Sequence, residues 1–138
     1  MFDKIPLFSS LDNNEKNKLS LFCQERLIRS GEVLFNESDE ATALYIVKEG
    51  KLKVYRDRSE GEQVLGFIEN GDIVGEMAIF EAIGGIPKKR MASVQAAKDT
   101  DLIVIMNYSI LDLSKKYSEI YEKILKIIEE RRQKNGNF

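Results

Sequence analysis

The residues whose types and spacing could do chemistry are Gly71-Asp72-Ile73-Val74-Gly75-Glu76-Met77-Ala78-Ile79-Phe80 and, after a gap, Arg90-Met91-Ala92-Ser93-Val94. A strand is expected to end at Gly75, where the missing side chain lets a ligand approach the backbone. Glu76 to Phe80 reads as a short helical turn whose first N–H groups lack intrahelical partners and favour an anion. Arg90 is expected to enter the next strand and bring a forked guanidinium to the same point. Glu76 cannot hold an anion, but it can accept a hydrogen bond from a hydroxyl beside one. An anion with an adjacent hydroxyl describes a sugar phosphate. Each residue also has a plainer use: Arg90 as a strand-edge arginine, Glu76 as a helix-start carboxylate, Lys88-Lys89 as a solvated loop rather than a second phosphate clamp.

Composition removes most alternatives. The 138 residues contain no histidine and one cysteine, Cys23. That leaves no His-assisted triad, no imidazole ligand, no disulfide within the chain and no cysteine-held cluster. No acidic pair stands at metal-ligand spacing, so no water-activating site is expected and the chain does not read as an enzyme. No cofactor or metal is implied. Lys plus Arg number 21 and Asp plus Glu 23, a net charge of −2. A balance that even gives no electrostatic footprint for direct nucleic-acid binding. No apolar run nears the roughly 20 residues of a membrane span, and MFDKIPLF lacks the long apolar run expected of a signal peptide. The expectation is one reduced, cytoplasmic domain over residues 1–138.

The elements that must position these residues follow from pattern. Asp12-Asn13-Asn14-Glu15 has the form of a capping box, and Leu19, Phe22 and Cys23 recur as one buried helix face. Ahead of it, Ile5-Pro6-Leu7-Phe8 reads as an extended apolar lead-in. From about Glu25 to about Met106 short runs rich in β-branched and aromatic residues alternate with Ser30-Gly31, Glu49-Gly50, Glu60-Gly61 and Asn70-Gly71. Gly66 and Gly84-Gly85 read as turn or bulge residues. Many short strands punctuated by glycine predict a mainly β fold, an antiparallel jelly roll (a double-stranded β-helix), flanked by a short N-terminal helix and by closing helices over about 109–134. Ser109-Ile110-Leu111-Asp112 reads as a second capping-box start. In the last helix Tyr117, Ile120, Tyr121, Ile124, Leu125, Ile127 and Ile128 form one stripe, serving either packing within the chain or a dimer seam.

The ordered set of Gly-Glu-Met-Ala, then Arg-x-Ala-Ser-Val, behind Gly50-Lys51-Leu52-Lys53-Val54-Tyr55 and Gly71-Asp72, resembles the phosphate-binding cassette of the cyclic nucleotide-binding domain family, of the catabolite activator protein and protein kinase A regulatory subunit type. The resemblance runs from Ile5-Pro6-Leu7-Phe8 to the final helix. It implies a ligand site of Gly75, Glu76, Met77, Ala78, Arg90, Met91 and Ala92. Glu76 would hold the ribose 2′-hydroxyl and Arg90 the cyclic phosphate. Backbone amides around Met77, Ala78 and Met91-Ala92 would complete the cradle. The closing helix would cap the base or pair with a second subunit, relaying binding to a downstream protein, with Arg131, Lys134 and Asn135 as its polar candidates. Two departures stand out. Glu81 to Lys89 makes the cassette longer than is usual, which could leave Arg90 in the pocket or displace it. Met91 stands where many members carry Ala, Ser or Thr, and without a hydroxyl there cyclic AMP is preferred to cyclic GMP. No helix-turn-helix follows Arg131-Arg132, so DNA binding is not expected of this chain. The competing expectation is the same fold used as a nucleotide-independent interaction module, its pocket filled by its own side chains.

Overall fold

The computed structural model of the chain describes residue 2, residues 4–80 and residues 88–135. A 3-10 turn at Pro6–Phe8 leads into helix α1 (Asn13–Ser20) and strands β1 (Cys23–Ile28), β2 (Val33–Phe35), β3 (Ala43–Glu49), β4 (Lys51–Arg58), β5 (Gly61–Glu69) and β6 (Ile73–Val74). Helix α2 (Glu76–Phe80) follows, then β7 (Ser93–Ala96), β8 (Thr100–Met106), α3 (Asn107–Lys116) and α4 (Ser118–Asn135). The strands form two four-stranded sheets, ordered β1-β8-β3-β6 and β2-β7-β4-β5, and the pairings are antiparallel. This is the expected jelly roll.

The two sheets differ in what covers them. In β3, Ala43, Tyr45 and Val47 face the second sheet, while Leu44 and Ile46 face the helices. β8 divides likewise, with Leu102 inward and Ile103 and Ile105 under the helices. A strand buried on both faces has no reason to alternate, which is why Ala43-Leu44-Tyr45-Ile46-Val47 is one apolar run. β4 has one wet face. Leu52 and Val54 are buried and Lys51 and Lys53 are half-buried between them. The helix-side core gathers Leu7, Phe8 and Leu19 with Met77 and Ile79 of α2, Ile110 of α3, and Ile120, Ile124 and Ile128 of α4.

Several local expectations are met in detail. Asp12 caps α1, its Oδ1 accepting from Glu15 N at 2.8 Å while Asp12 N donates to Glu15 Oε1 at 3.0 Å. Val54 pairs with Gly66 and Tyr55 with Val64, so Leu65 is the extra residue of a bulge beside Gly66. Others are corrected. Pro6–Phe8 coil into a buried turn instead of running extended, because Pro6 at the turn's start fixes φ and lets Ser9 N reach its carbonyl. Helix α1 ends at Ser20, so Phe22 is left 62% exposed and Cys23 opens β1. The third helix starts at Asn107, not at Ser109, because β8 runs into it directly after Met106, which has no side-chain cap. Gly84-Gly85 lie outside the described residues.

Candidate functional site

Arg90 lies three residues before β7 instead of within a strand, and its backbone is fixed there by the loop 36–39. Arg90 N donates to Asp39 O at 2.8 Å and Ser38 N donates to Arg90 O at 2.8 Å. Held in that way, the side chain turns inward and is only 4% exposed. Nη1 donates to Gly75 O at 2.9 Å and Nη2 to Ala43 O at 2.7 Å. The guanidinium stacks over Phe35, 4.1 Å from the ring centroid, with Tyr45 at 5.9 Å. Nε is buried without a hydrogen-bond partner among the described residues. The guanidinium thus leans on carbonyls and rings, and among the described residues no carboxylate is hydrogen-bonded to it. Burial lowers its pKa, and the charges of Tyr45, Glu76 and Asp39 oppose that shift. An arginine stays protonated throughout.

Gly75 has a conformation and a space that suit no other residue. Its φ is +91°, and a Cβ there would stand 2.5 Å from Arg90 Nη1 and 3.3 Å from Ala43 O. The glycine read from sequence as room for a ligand is first of all room for the arginine. Gly75, Met77, Ala78, Arg90, Met91 and Ala92 line one cavity of about 10 Å³, closed on its other sides by apolar side chains of both sheets. That is space for about one water molecule. Met91 is further tied by its carbonyl, which accepts from Arg56 Nε at 2.9 Å.

Glu76 does not line this cavity. Its side chain is fully buried and faces α4, where Oε1 accepts from Arg131 Nη1 at 2.5 Å. Arg131 Nη2 donates to Ile73 O at 2.6 Å. Glu76 Oε2 is buried without a hydrogen-bond partner among the described residues. The structure therefore brings six of the seven candidate residues together and turns the seventh toward the closing helix. Arg131 entered the sequence reading only as a polar candidate for the base. Its helical register pointed elsewhere: it lies three and seven residues after Ile128 and Ile124, continuing the buried stripe of α4. A charge on a buried stripe calls for a buried partner. The Phe35 and Tyr45 rings and the Ala43 carbonyl had no sequence signal beyond their strands. Of the lengthening segment Glu81 to Lys89, Glu81 to Pro87 lie outside the described residues. Of the lysine pair after them, Lys88 is half-buried with its N–H on Ala78 O at 3.0 Å, and Lys89 is exposed. Among the described residues no group of His, Cys, Asp or Glu could hold a metal ion, and no helix is long and apolar enough to cross a membrane.

Comparison with known proteins gives the same direction. The profile described as "Cyclic nucleotide-binding domain" matches residues 25–117. The "Cyclic AMP receptor protein" of Thermus thermophilus is 31% identical over 109 residues, covering 78% of this chain and 48% of that protein. The "cAMP-dependent protein kinase regulatory subunit" of Mycosarcoma maydis is 32% identical over 97 residues, covering 70% of this chain and 18% of that protein. The chain thus spans less than half the length of either relative. Among solved structures, the Thermus thermophilus catabolite activator protein superposes with a TM-score of 0.78 at 27% identity, covering 93% of this chain and 58% of that one.

Proposed function

Because the chain belongs to the cyclic nucleotide-binding domain family, we propose that it is a regulatory, non-catalytic sensor of a cyclic nucleotide, with cyclic AMP preferred to cyclic GMP. The single observation that carries this reading is Arg90: a buried guanidinium that leans on two carbonyls and two rings beside a glycine cut to its shape. Burying an ion without a directly bonded counter-charge costs several kcal/mol, and a chain that needed only a packed interior would do better with an apolar side chain there. An incoming cyclic phosphate supplies the missing negative charge and a forked acceptor in place of the carbonyls. Met91, Ala92, Met77 and Ala78 supply the wall beside it. Met91 brings no hydroxyl for a guanine, and the two relatives are named for cyclic AMP.

The relay passes through α4 to a downstream protein or a second copy of the chain. Tyr121 and Leu125, 43% and 42% exposed, are the apolar face that the helix offers. The setting is the cytoplasm, in keeping with a single unpaired cysteine. A second reading, the nucleotide-independent interaction module, draws on the cavity itself: at about 10 Å³ it must enlarge before any nucleotide enters. On the sensor reading that enlargement is the conformational change, a shift between two populations driven by the ligand's preference for one.

The test is a melting-temperature screen with cyclic AMP, cyclic GMP and linear AMP, followed by calorimetry on the Arg90→Ala variant. Cyclic AMP raises the melting temperature most, since it binds only the folded chain. Loss of one charge-assisted contact at Arg90, worth about 1.5–3 kcal/mol, weakens binding by roughly one to two orders of magnitude. A folded wild-type protein that gives no heat at millimolar nucleotide ends the sensor reading and leaves the interaction module.

A further inference from the structure

The Phe35 ring reaches Arg90 through a slip in its strand. Val33 pairs with Gln95, so in unbroken register Leu34 would stand opposite Val94 and Phe35 opposite Ser93, on the other face of the sheet. The register shifts between Val33 and Phe35 instead, and Phe35 stands opposite Val94. Such a bulge re-aims the side chains beyond it, and here Leu34 and Phe35 both join Val94 in the core between the sheets. The ring therefore lines the cavity, 4.1 Å from the Arg90 guanidinium. The Tyr45 ring of β3 packs on Phe35 at 5.9 Å, tilted by 34°, and also faces the guanidinium. Two carbonyls hold the guanidinium by its nitrogens, and Nε stays buried without a hydrogen-bond partner among the described residues. An aromatic face attracts a cation through its quadrupole and carries no net charge. A carboxylate in the ring's place would hold the arginine too, but it would cancel the charge and repel an anion.

We propose that Phe35 is a positioning residue for the phosphate: turned inward by the bulge of β2, its ring fixes the plane of the Arg90 guanidinium and leaves the positive charge free for the anion. This rests on the nucleotide reading above and names the residue that orients its arginine. The face of the guanidinium stays on the ring, and its edge, with Nε among the donors, meets the phosphate. A fork already held in plane loses little freedom when the ligand arrives. The sign of the effect separates this role from two plainer ones. A ring that only filled space would leave affinity indifferent to its electrons. A ring whose negative face only repelled the phosphate would bind it more tightly once those electrons were withdrawn.

The experiment measures cyclic AMP binding by calorimetry in wild type, in Phe35→Leu, and in chains whose Phe35 ring bears one, two or three fluorines. Fluorine drains the ring face and changes its shape little, so these chains keep the fold, which their urea midpoints check. They carry the test by themselves if Phe35→Leu fails to fold. Affinity is expected to fall about tenfold in Phe35→Leu and roughly twofold with each added fluorine. In an Arg90→Ala background, Phe35→Leu is expected to cost no further affinity, because the ring acts through the arginine. Binding that stays level or tightens along the fluorine series, or an equal loss from Phe35→Leu with and without Arg90, overturns the positioning role and leaves nucleotide binding intact. A folded wild type that gives no heat with cyclic AMP instead overturns the nucleotide reading and the positioning role with it.

Discussion

At the scale of single residues, the site turns on the match between Gly75 and Arg90. Left-handed backbone costs a residue with a Cβ roughly 1–2 kcal/mol, and here that Cβ would also press on Nη1 at 2.5 Å. Gly75→Ala is therefore expected to destabilise the fold by about 1–3 kcal/mol, read as a lower urea midpoint with an unchanged slope. It also pushes the guanidinium off the Gly75 carbonyl. Nucleotide affinity falls in a chain that remains folded, as it does for Arg90→Ala. A Gly75→Ala protein with unchanged midpoint and unchanged affinity would show that the arginine has room to spare. The sequence reading placed Gly75 and Arg90 at one point, and the structure brings the two together. That glycine's first duty is to admit the arginine depends on a 15-residue separation closing in space, which spacing along the chain does not reveal.

At the scale of elements, the periodic signals held where one partner decides the outcome and failed where two compete. The capping box of α1 is a contest among four adjacent residues, and it formed as written. The face of Leu19, Phe22 and Cys23 did not, because β1 takes Cys23 into a six-residue ladder with β8, pairing it with Ile105. A strand that gains a ladder outweighs two more residues of a short polar helix. The same capture gives Cys23 its chemistry. Burial pushes its thiol up from about 9.0 to about 11. At pH 8 the thiolate is then roughly a hundredfold scarcer in the folded chain than in the unfolded one, and iodoacetamide labelling should be slowed accordingly. The group binds its proton more tightly when folded. Its contribution to stability is complete below about pH 9 and is lost as pH rises through about 11. A melting temperature that falls over that alkaline window in wild type, and falls less in Cys23→Ala, is the expected outcome. Rapid labelling of the native protein at pH 8 would place the thiol in water instead.

At the scale of the whole molecule, one charged group is set against a nearly neutral body. The net charge is −2, and the surface ion pairs are exposed couples such as Arg29–Asp99 at 3.2 Å, open to screening. These charges neither draw an anionic ligand from a distance nor hold it on arrival. On the proposed reading, what favours the ligand is Arg90, 4% exposed and walled by the Phe35 and Tyr45 rings and by apolar side chains of both sheets. Salt reaches such a group poorly, whereas a lysine patch on the surface would lose its pull once the Debye length fell from about 10 Å at 0.1 M to about 3 Å at 1 M. Cyclic AMP affinity should therefore change less than about threefold between 0.1 and 1 M sodium chloride, measured by calorimetry at constant pH. A steep loss, tenfold or more over that range, would mean that exposed cations such as Lys89 do the binding and that the buried arginine serves the fold alone. The same low screening acts on Arg131 and Glu76, so salt should not loosen α4 either.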